Sequence, residues 1–202
     1  MILEYAIFII CSYLLGSIPF GYIAAKRLKG IDITRHGSGN IGATNIMRSI
    51  GAGPAAAVFI LDILKGFIPV FMAKSILPSS PDWFVVLCGI MAIIGHCLSI
   101  FLRFRGGKGA ATSLGVIIGL NPLIAAISFG IFIVVLAISK YVSLASIATA
   151  IAVPVLMVLF RQSTSFMIFA ALMGSFVVLK HRSNIGRLAK GTEARWGDKS
   201  KA

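Results

Sequence analysis

The chain has 202 residues, of which 58% are hydrophobic and only 12% are charged, and its mean hydropathy is +0.97. The charged fraction is about half that of an average soluble domain, which excludes a soluble globular protein and predicts one integral membrane domain over 1–202. Basic residues outnumber acidic ones by 19 to 6, for a net charge of +13. Because they cluster in short loops between apolar segments, they indicate a cytoplasmic membrane face and not a nucleic-acid-binding protein.

Three membrane spans are predicted in the first half of the chain, at about 5–25, 53–77 and 84–102. The first basic cluster follows the first span, and the turn at 78–83 contains no Lys or Arg. Since positively charged loops remain on the cytoplasmic side, this pattern places the N-terminus outside the membrane. The polar stretch at 26–51 is then cytoplasmic.

A break at Asn121-Pro122 is predicted within the apolar stretch 110–139. A single helix over that stretch would be about 45 Å long, whereas the hydrocarbon core is about 30 Å thick, and proline disfavours a continuous helix. The second half of the chain is therefore expected to hold four elements, at 110–120, 123–139, 142–160 and 164–180. Together these spans predict an all-α polytopic membrane protein with about seven transmembrane or half-membrane helices, a cytoplasmic C-terminus and a polar tail at about 194–202.

The stretch "GSGNIG" (37–42) fits the dinucleotide-binding pattern G-x-G-x-x-G, and Asp62 lies about twenty residues further on, where a ribose-binding acid is expected. That pattern needs a strand before it and a helix after it in a soluble βαβ unit. Here we expect Gly42 to lead into a membrane helix with Asp62 about ten residues inside its apolar run, which excludes a nicotinamide site. We expect Asp62 to pair with Lys65, three residues later in that helix, with a role in supporting the polar loops as the alternative.

Three segments that are all expected at the cytoplasmic face combine glycines, small hydroxyl or amide residues, and cations. They are "GSGNIGATNIMR" (37–48), "FRGGKGAATSLG" (104–115) and "HRSNIGRLAKGTE" (181–193). Glycine lets backbone N–H groups approach an anion, a helix N-terminus adds unpaired donors, and Arg or Lys adds charge-assisted hydrogen bonds. One such segment would be an ordinary interfacial loop, but three on one face predict a phosphate site. The second is not a P-loop, because Gly109 replaces the Ser or Thr that follows the lysine.

Together with "LLGSIPFG" (14–21), "LDILKG" (61–66) and "YVSLASI" (141–147), these segments resemble the bacterial acyl-phosphate:glycerol-3-phosphate acyltransferases, the PlsY family. The resemblance covers nearly the whole chain. It implies a multi-pass inner-membrane enzyme, with its active site on the cytoplasmic face, that transfers a fatty acyl group from acyl phosphate to the sn-1 hydroxyl of glycerol 3-phosphate. The products are lysophosphatidic acid and phosphate, in the first step of phospholipid biosynthesis.

No cofactor is expected, the two substrates and the membrane lipids are the expected partners, and the chain is expected to be monomeric. The resemblance places the active site at these motif positions, and we expect phosphate-binding residues in the first two segments. Lys108, also counted among the catalytic residues, is expected to hold a phosphate, most simply that of acyl phosphate, and Arg48 can clamp a phosphate bidentately. The other expected binding residues are Gly106, Gly107, Gly109, Thr112, Ser38, Asn40, Thr44 and Asn45. For Thr44 and Asn45, structural capping is an equally good explanation.

His181 is the candidate for accepting the proton of the attacking hydroxyl, because histidine titrates closest to neutral pH. A substrate phosphate oxygen could take that proton instead, with His181 only donating hydrogen bonds. Asn184, one helical turn later, is expected to orient the substrate or the oxyanion. Ser143 is a further candidate catalytic residue, because the sequence around it matches the family motif, although a serine at a helix start is more often a cap. Glu193 and Arg187 either form a salt bridge or contact substrate.

A transporter or channel for phosphate or organophosphate is the main alternative function, because broken helices and glycine-rich helix ends are also transporter features. Against it, the polar groups gather at one face, whereas transporter sites lie near the midplane of the membrane. No metal site is expected, since the six carboxylates and three histidines form no cluster with ligand spacing. His36 and His96 are expected to be structural, with a role in the site left open for His96, near the end of the third span.

Overall fold

The computed structural model describes residues 2–198, and within that range the chain is almost entirely helical. Ten α-helices and two short 3₁₀ turns, Ile33–Arg35 and Ile100–Leu102, follow one another, and these residues form no β-strand. The helices are α1 (Ile2–Ser17), α2 (Phe20–Lys29), α3 (Ala43–Ser49), α4 (Ala52–Ile76), α5 (Asp82–Cys97), α6 (Ala110–Leu120), α7 (Pro122–Ser139), α8 (Val142–Leu159), α9 (Thr164–Lys180) and α10 (Arg182–Ala189).

Four segments of the described chain are long and apolar enough to cross a membrane. They are α1 with α2 as one segment of 28 residues, α4, α7 and α8, and the bent pair of α9 and α10 would be a fifth. Helices α5 and α6 are apolar but shorter. An all-α, multi-span membrane protein is thus confirmed. The count of about seven elements, the orientation of the termini and the single-domain organisation stay predictions.

The break predicted at Asn121-Pro122 is present. Helix α6 ends just before Asn121, and α7 begins at Pro122, whose missing N–H needs no partner in the first turn of a helix. The Asn121 side-chain oxygen accepts hydrogen bonds from the N–H groups of Leu123 and Ile124, at 3.0 and 3.1 Å, and so caps α7. Helix α6 has 11 residues. Its length is therefore about 16 Å, roughly half of a hydrocarbon core.

Gly42 does not lead directly into a membrane helix, contrary to the expectation from the sequence. It precedes the seven-residue helix α3, and the chain then turns at Gly51 before α4 begins. Gly51 has a φ of +142°, which only glycine adopts readily, and this turn separates the short helix from the long one. The first glycine-containing segment therefore ends in a short helix of its own.

The third glycine-containing segment was expected to be a loop, but Arg182–Ala189 form helix α10, at 56° to α9. Ile185 and Leu188 stand three residues apart, which is helical spacing, and the single Gly186 between them does not break the helix. Helix α5 likewise ends at Cys97, earlier than the predicted boundary at 102. The chain after Cys97 is then free to fold back as a loop towards α6.

Helix α6 lies directly against α4, and this contact determines where the N-terminus of α6 stands. A Cβ atom added to Gly66 of α4 would lie 2.1 Å from the backbone oxygen of Thr112. A Cβ atom added to Gly115 of α6 would lie 1.9 Å from the backbone oxygen of Ile63. Only glycine permits so close an approach, and small residues are the usual contact points between helices in membranes.

The ion pair expected between Asp62 and Lys65 is present in α4, with 2.8 Å between Lys65 Nζ and Asp62 Oδ1. Both side chains are buried, and Lys65 also donates to the backbone oxygen of Ile18 at 2.9 Å. Since an isolated charge within a membrane helix is unfavourable, the two groups are kept together. The pair thereby joins α4 to the interruption between α1 and α2.

Candidate active site

One cavity, of about 210 Å³, extends from the neighbourhood of α3 and α10 into the space between α6, α7, α8 and α9. Arg48, Lys108 and His181, on which the site hypothesis depends, are brought together at its polar end. The other titratable or amide side chains that line the cavity belong to Asn40, Asn45, Asp62, His96, Asn184, Arg187 and Glu193. The inner part is apolar and is lined by Leu114, Ile117, Phe129, Phe132, Val153 and Phe169.

Lys108, Asn184 and Glu193 form a chain of hydrogen bonds at the polar end. Lys108 Nζ donates to the side-chain oxygen of Asn184, and Asn184 Nδ2 donates to Glu193 Oε1 at 2.6 Å. The orientation of the Asn184 amide follows from its neighbours, because an ammonium can only donate and a carboxylate can only accept. Ser143 Oγ donates to the same Glu193 oxygen at 2.7 Å, and Arg187 Nε donates to the other at 2.7 Å. Glu193 therefore forms the salt bridge with Arg187 and joins α8 to α10.

The charges in this network follow from burial and from neighbouring groups. Burial raises the pKa of Glu193, but the hydrogen bonds from its three partners outweigh burial and hold that pKa below its ordinary value, so the carboxylate is ionised. Burial is also the largest influence on Lys108, and with the nearby Arg187 and Arg48 it lowers the pKa of Lys108 to about 8, against the opposing charge of Glu193. The ammonium is thus charged at neutral pH and loses its proton in mildly alkaline solution.

His181 lies between α9 and α10 and is buried at the cavity wall. Its Nδ1 lies 2.8 Å from the backbone oxygen of Val177. Because a carbonyl oxygen can only accept, Nδ1 carries the hydrogen and Nε2 keeps its lone pair in the neutral ring. Burial lowers the pKa of His181, and the charge of Lys108 acts in the same direction, against the hydrogen bond to Val177 that raises it. The site therefore offers a neutral imidazole that can accept a proton.

Asn45 organises the first glycine-containing segment. It is buried in α3, accepts a hydrogen bond from the N–H of Ser38 at 3.0 Å, and donates to the backbone oxygens of His36 and Asn40 at 3.0 and 2.8 Å. These contacts use both groups of its amide, which favours the structural explanation for Asn45 even though it lies at the cavity wall. Ser38, Asn40 and Thr44 line the cavity as well.

Arg48 reaches the cavity from the last turn of α3 and is held by the segment that follows α10. Its Nη2 donates to the backbone oxygen of Ala194 at 3.0 Å. That segment continues to Trp196, whose N–H donates to the backbone oxygen of Lys140 at 2.7 Å. This part of the predicted polar tail is therefore packed against the helices, and its last residues, 199–202, lie outside the described range.

Only part of the loop that carries Lys108 faces the cavity, and the phosphate-site hypothesis stays a prediction. Gly109 lines the cavity, but Gly106, Gly107 and Thr112 do not. The N–H of Gly107 already donates to the backbone oxygen of His96 at 3.1 Å, and Gly106 also contacts the end of α5. Thr112 is fully buried on the side of α6 that packs against α4. Spacing in the sequence could not show this, because the side of the loop that faces the cavity depends on where α5 ends.

Two residues assigned structural roles from the sequence, Asp62 and His96, also line the cavity. His96 Nδ1 lies 3.6 Å from Asp62 Oδ1. In the sequence, an acidic residue and a histidine within otherwise apolar helices could have identified these two positions as candidates for the site. His36, by contrast, is exposed, and its Nδ1 lies 2.7 Å from the backbone oxygen of Asp32. Residues 2–198 contain no group of three or more His, Cys, Asp or Glu side chains that could hold a metal ion.

The chain is similar along nearly its whole length to proteins of one family. Residues 6–191 match a family model described as glycerol-3-phosphate acyltransferase. The chain belongs to this family. Glycerol-3-phosphate acyltransferases from Trichormus variabilis and Synechococcus elongatus are 46% and 45% identical to it, over 95% and 98% of this chain and 91% and 98% of theirs. The PlsY resemblance inferred from the motifs is thus confirmed.

Solved structures of the glycerol-3-phosphate acyltransferase family show the same fold. A crystal structure of PlsY (YgiH), an integral membrane glycerol 3-phosphate acyltransferase in its glycerol 3-phosphate form, matches with a TM-score of 0.91 and 38% identity over 96% of both chains. The lysophosphatidic acid form matches with a TM-score of 0.89. These relatives are acyltransferases, which places the chain among the enzymes of phospholipid biosynthesis.

Proposed function

We propose that the protein transfers a fatty acyl group from acyl phosphate to the sn-1 hydroxyl of glycerol 3-phosphate, releasing lysophosphatidic acid and phosphate. The observation that carries this proposal is that one cavity joins a cationic, polar end to an apolar inner part. Both substrates carry a phosphate and only the donor carries a fatty tail, so the two parts of the cavity match the two parts of the donor. The glycerol 3-phosphate and lysophosphatidic acid forms of the similar PlsY enzyme support the acceptor and the product.

Glycerol 3-phosphate is assigned to the part of the cavity beside α3. Arg48 presents a guanidinium there that can bind a phosphate with two parallel hydrogen bonds, and Ser38, Asn40 and Thr44 supply short polar side chains around it. Since Arg48 already donates to the backbone oxygen of Ala194, part of its orientation is set before a phosphate binds.

The phosphate of the donor is assigned to Lys108 and to the N-terminus of α6. Gly109, Ala110 and Ser113 line the cavity at this point. The first helical hydrogen bond of α6 runs from the N–H of Ser113 to the oxygen of Gly109, so the preceding N–H groups have no partner within the helix. Such a helix end attracts anions, and the ammonium of Lys108 adds a full charge.

The fatty chain is assigned to the inner part of the cavity. Ser128, Ser146 and Thr149 lie there, but each hydroxyl donates to a backbone oxygen of its own helix, at 2.9, 2.9 and 2.8 Å. Because these hydroxyls are already hydrogen-bonded, an apolar tail can lie against them without leaving a buried donor unpaired. The inner wall is therefore chemically suited to a hydrocarbon.

Acyl phosphate is an activated mixed anhydride, so direct attack needs no covalent enzyme intermediate. The sn-1 oxygen bonds to the acyl carbonyl carbon, the bond from that carbon to the phosphate oxygen breaks, and phosphate leaves with the electron pair. The hydroxyl proton passes to Nε2 of His181. Lys108 neutralises the departing phosphate. Asn184 has both of its groups bonded, to Lys108 and Glu193, so we assign it to holding Lys108, and we assign Ser143 to holding Glu193.

A phosphate oxygen of glycerol 3-phosphate is the rival acceptor of that proton. His181→Gln keeps a side chain that can form hydrogen bonds but cannot take up a proton at neutral pH. If His181 is the base, turnover should fall about 10²- to 10⁴-fold in this variant. Turnover close to that of the unmodified protein would assign the proton to the substrate phosphate.

We place the polar end of the cavity at the cytoplasmic face of the bacterial inner membrane, with the N-terminus outside, because the segments that form it are basic. One chain lines the whole cavity, so a monomer suffices for activity. Ser79→Cys and Lys190→Cys, in a background without the native cysteines, test the orientation. A membrane-impermeant maleimide should label Ser79→Cys in intact spheroplasts and Lys190→Cys only after lysis. The reverse labelling pattern would overturn the proposed orientation.

Purified protein, palmitoyl phosphate and radiolabelled glycerol 3-phosphate test the reaction. Phosphate and labelled lysophosphatidic acid should appear in equal amounts, and palmitoyl-CoA or palmitoyl-acyl-carrier protein should not replace the donor. The sn-1 assignment predicts acylation of 3-hydroxypropyl phosphate, which keeps the primary hydroxyl, and none of 2-hydroxypropyl phosphate, which lacks it. Phosphate uptake into proteoliposomes without lysolipid formation would instead favour a transporter.

A further inference from the structure

Asp62 and His96 lie beside the proposed active site, yet none of the roles assigned above uses them. Asp62 is 2% exposed and His96 is 3% exposed, and both line the cavity. Titratable side chains are unfavourable in membrane helices and are usually retained for a function. The contacts of the two residues indicate what that function is.

His96 supports the loop that carries Lys108. It is the second-last residue of α5, and its backbone oxygen accepts the N–H of Gly107 at 3.1 Å. The imidazole also lies against Gly107 itself, because a Cβ atom added there would stand 2.0 Å from His96 Nε2 and 2.8 Å from Cε1. The ring and the loop backbone are therefore in direct contact, one residue before Lys108.

The Asp62–Lys65 pair lies beside the other edge of the His96 ring, without a hydrogen bond to it. Asp62 Oδ1 lies 3.6 Å from His96 Nδ1 and 2.8 Å from Lys65 Nζ. Lys65 in turn donates to the backbone oxygen of Ile18 at 2.9 Å. The ring thus lies between the Asp62 carboxylate on one edge and the backbone of Gly107, which it contacts, on the other.

We propose that His96, which lies between the Asp62–Lys65 pair and Gly107, is a positioning residue for acyl transfer. It sets the backbone of the loop at 106–109, and with it the direction in which Lys108 enters the cavity. The inference rests on the proposed function and assigns His96 no contact with substrate. Its physical basis is that Lys108 must reach Asn184 across the cavity, and a misplacement of about 1 Å in such a group lowers a rate about 100-fold.

A cycle of substitutions at Gly107 and His96 isolates this contact. Gly107 is not among the residues with positive φ, so alanine is sterically excluded there by the His96 ring and not by its backbone conformation. In the otherwise unmodified protein, Gly107→Ala should lower kcat/KM about 100-fold. In His96→Ala protein the new methyl group can occupy the space that the ring has left, so Gly107→Ala should lower kcat/KM less than about fivefold.

Gly106→Ala is the matched control for this cycle. A Cβ atom at Gly106 would lie 2.1 Å from the backbone oxygen of His96, which side-chain truncation does not remove. Gly106→Ala should therefore lower kcat/KM by the same factor with and without His96→Ala. This comparison separates relief of one steric contact from a general loosening of the loop.

The division between KM and kcat distinguishes positioning from a loss of stability. His96→Ala alone should raise the KM for acyl phosphate about tenfold with a smaller change in kcat, and His96→Phe, which keeps a planar ring against Gly107, should lie closer to the unmodified protein. Lys74→Gln is the stability control, because Lys74 donates to the backbone oxygens of Gly119 and Leu120 at the other end of α6, both at 3.0 Å. It should lower the Tm and leave KM unchanged.

The proposal is overturned if Gly107→Ala lowers kcat/KM by the same factor in both His96 backgrounds, or if His96→Ala leaves KM unchanged. Absence of lysolipid formation by the unmodified protein would instead refute the proposed function. In that case the affinities of the same variants for glycerol 3-phosphate and for inorganic phosphate are measured by calorimetric titration. The positioning role is then overturned if Gly107→Ala lowers these affinities equally in both His96 backgrounds.

Discussion

Lys108 donates a hydrogen bond to the side chain of Asn184, although the two residues are 76 positions apart in the chain. One precedes α6 and the other lies in α10. Asn184 also donates to Glu193, which accepts a hydrogen bond from Ser143 in α8. The position of the lysine ammonium in the cavity is therefore set jointly by three distant segments, and each can be tested separately.

Asn184→Leu keeps the approximate size of the side chain and removes both of its hydrogen bonds. Hydrogen bonds to charged groups contribute about 1.5–3 kcal/mol each, so kcat/KM with palmitoyl phosphate should fall about 10- to 100-fold as Lys108 loses its acceptor. Ser183→Leu makes a comparable change at the neighbouring, exposed position of α10 and should have little effect. Steady-state rates of phosphate release measure both, and equal effects of the two variants would contradict the role of Asn184.

The lowered pKa of Lys108, about 8, predicts a pH dependence of substrate binding. Burial and the neighbouring Arg187 and Arg48 favour the neutral amine, so Lys108 is charged below this pH and neutral above it. The KM for the substrate that Lys108 binds should be constant below pH 8 and rise about tenfold per pH unit above it. Phosphate monoesters lose their second proton near pH 6 and do not titrate in that range.

Lys108→Arg provides the control for that profile, because a guanidinium stays charged throughout. KM values for both substrates between pH 6.5 and 9.5 should show the alkaline rise in the unmodified protein and none in the variant. A rise of the same size in Lys108→Arg would mean that another group titrates.

Arg48→Lys tests the clamp on glycerol 3-phosphate. A lysine keeps the charge but cannot form two parallel hydrogen bonds, so the KM for glycerol 3-phosphate should rise at least about tenfold with a smaller change in kcat. Arg35→Lys is the matched control, since the Arg35 side chain is 84% exposed. Initial rates at varied glycerol 3-phosphate measure the effect, and an unchanged dependence in Arg48→Lys would exclude the clamp.

Val153→Phe tests the assignment of the fatty chain to the inner part of the cavity. Val153 lines that part, and a larger side chain there shortens the space for a hydrocarbon. The ratio of kcat/KM for palmitoyl phosphate to that for decanoyl phosphate should fall about tenfold. Ile151→Phe is the control on the same helix, because Ile151 is 58% exposed on its outer side. A similar ratio in both variants would mean that the fatty chain does not bind in the inner part of the cavity.

Local features of the sequence predicted much of this architecture. Asn121 and Pro122 end one helix and start the next through effects on adjacent residues, so the break could be located without any tertiary information. The Asp62–Lys65 pair follows from a spacing of one helical turn. The helical state of the third segment was missed, because its glycine suggested a loop although Ile185 and Leu188 stand at helical spacing.

Hydropathy and charge along the chain establish a helical membrane protein with basic segments, because both properties act through each residue and its immediate neighbours. The three glycine-containing segments and the PlsY resemblance also identify Arg48, Lys108 and His181 as candidates for one site. These features of the sequence do not show which side of each segment faces the cavity. That Gly109 and not Gly107 lines it, and that Asn184 bonds Lys108, depends on the packing of α4 against α6 and on the end of α5 beneath the loop. Such contacts join residues far apart in the chain and leave no pattern in a single sequence.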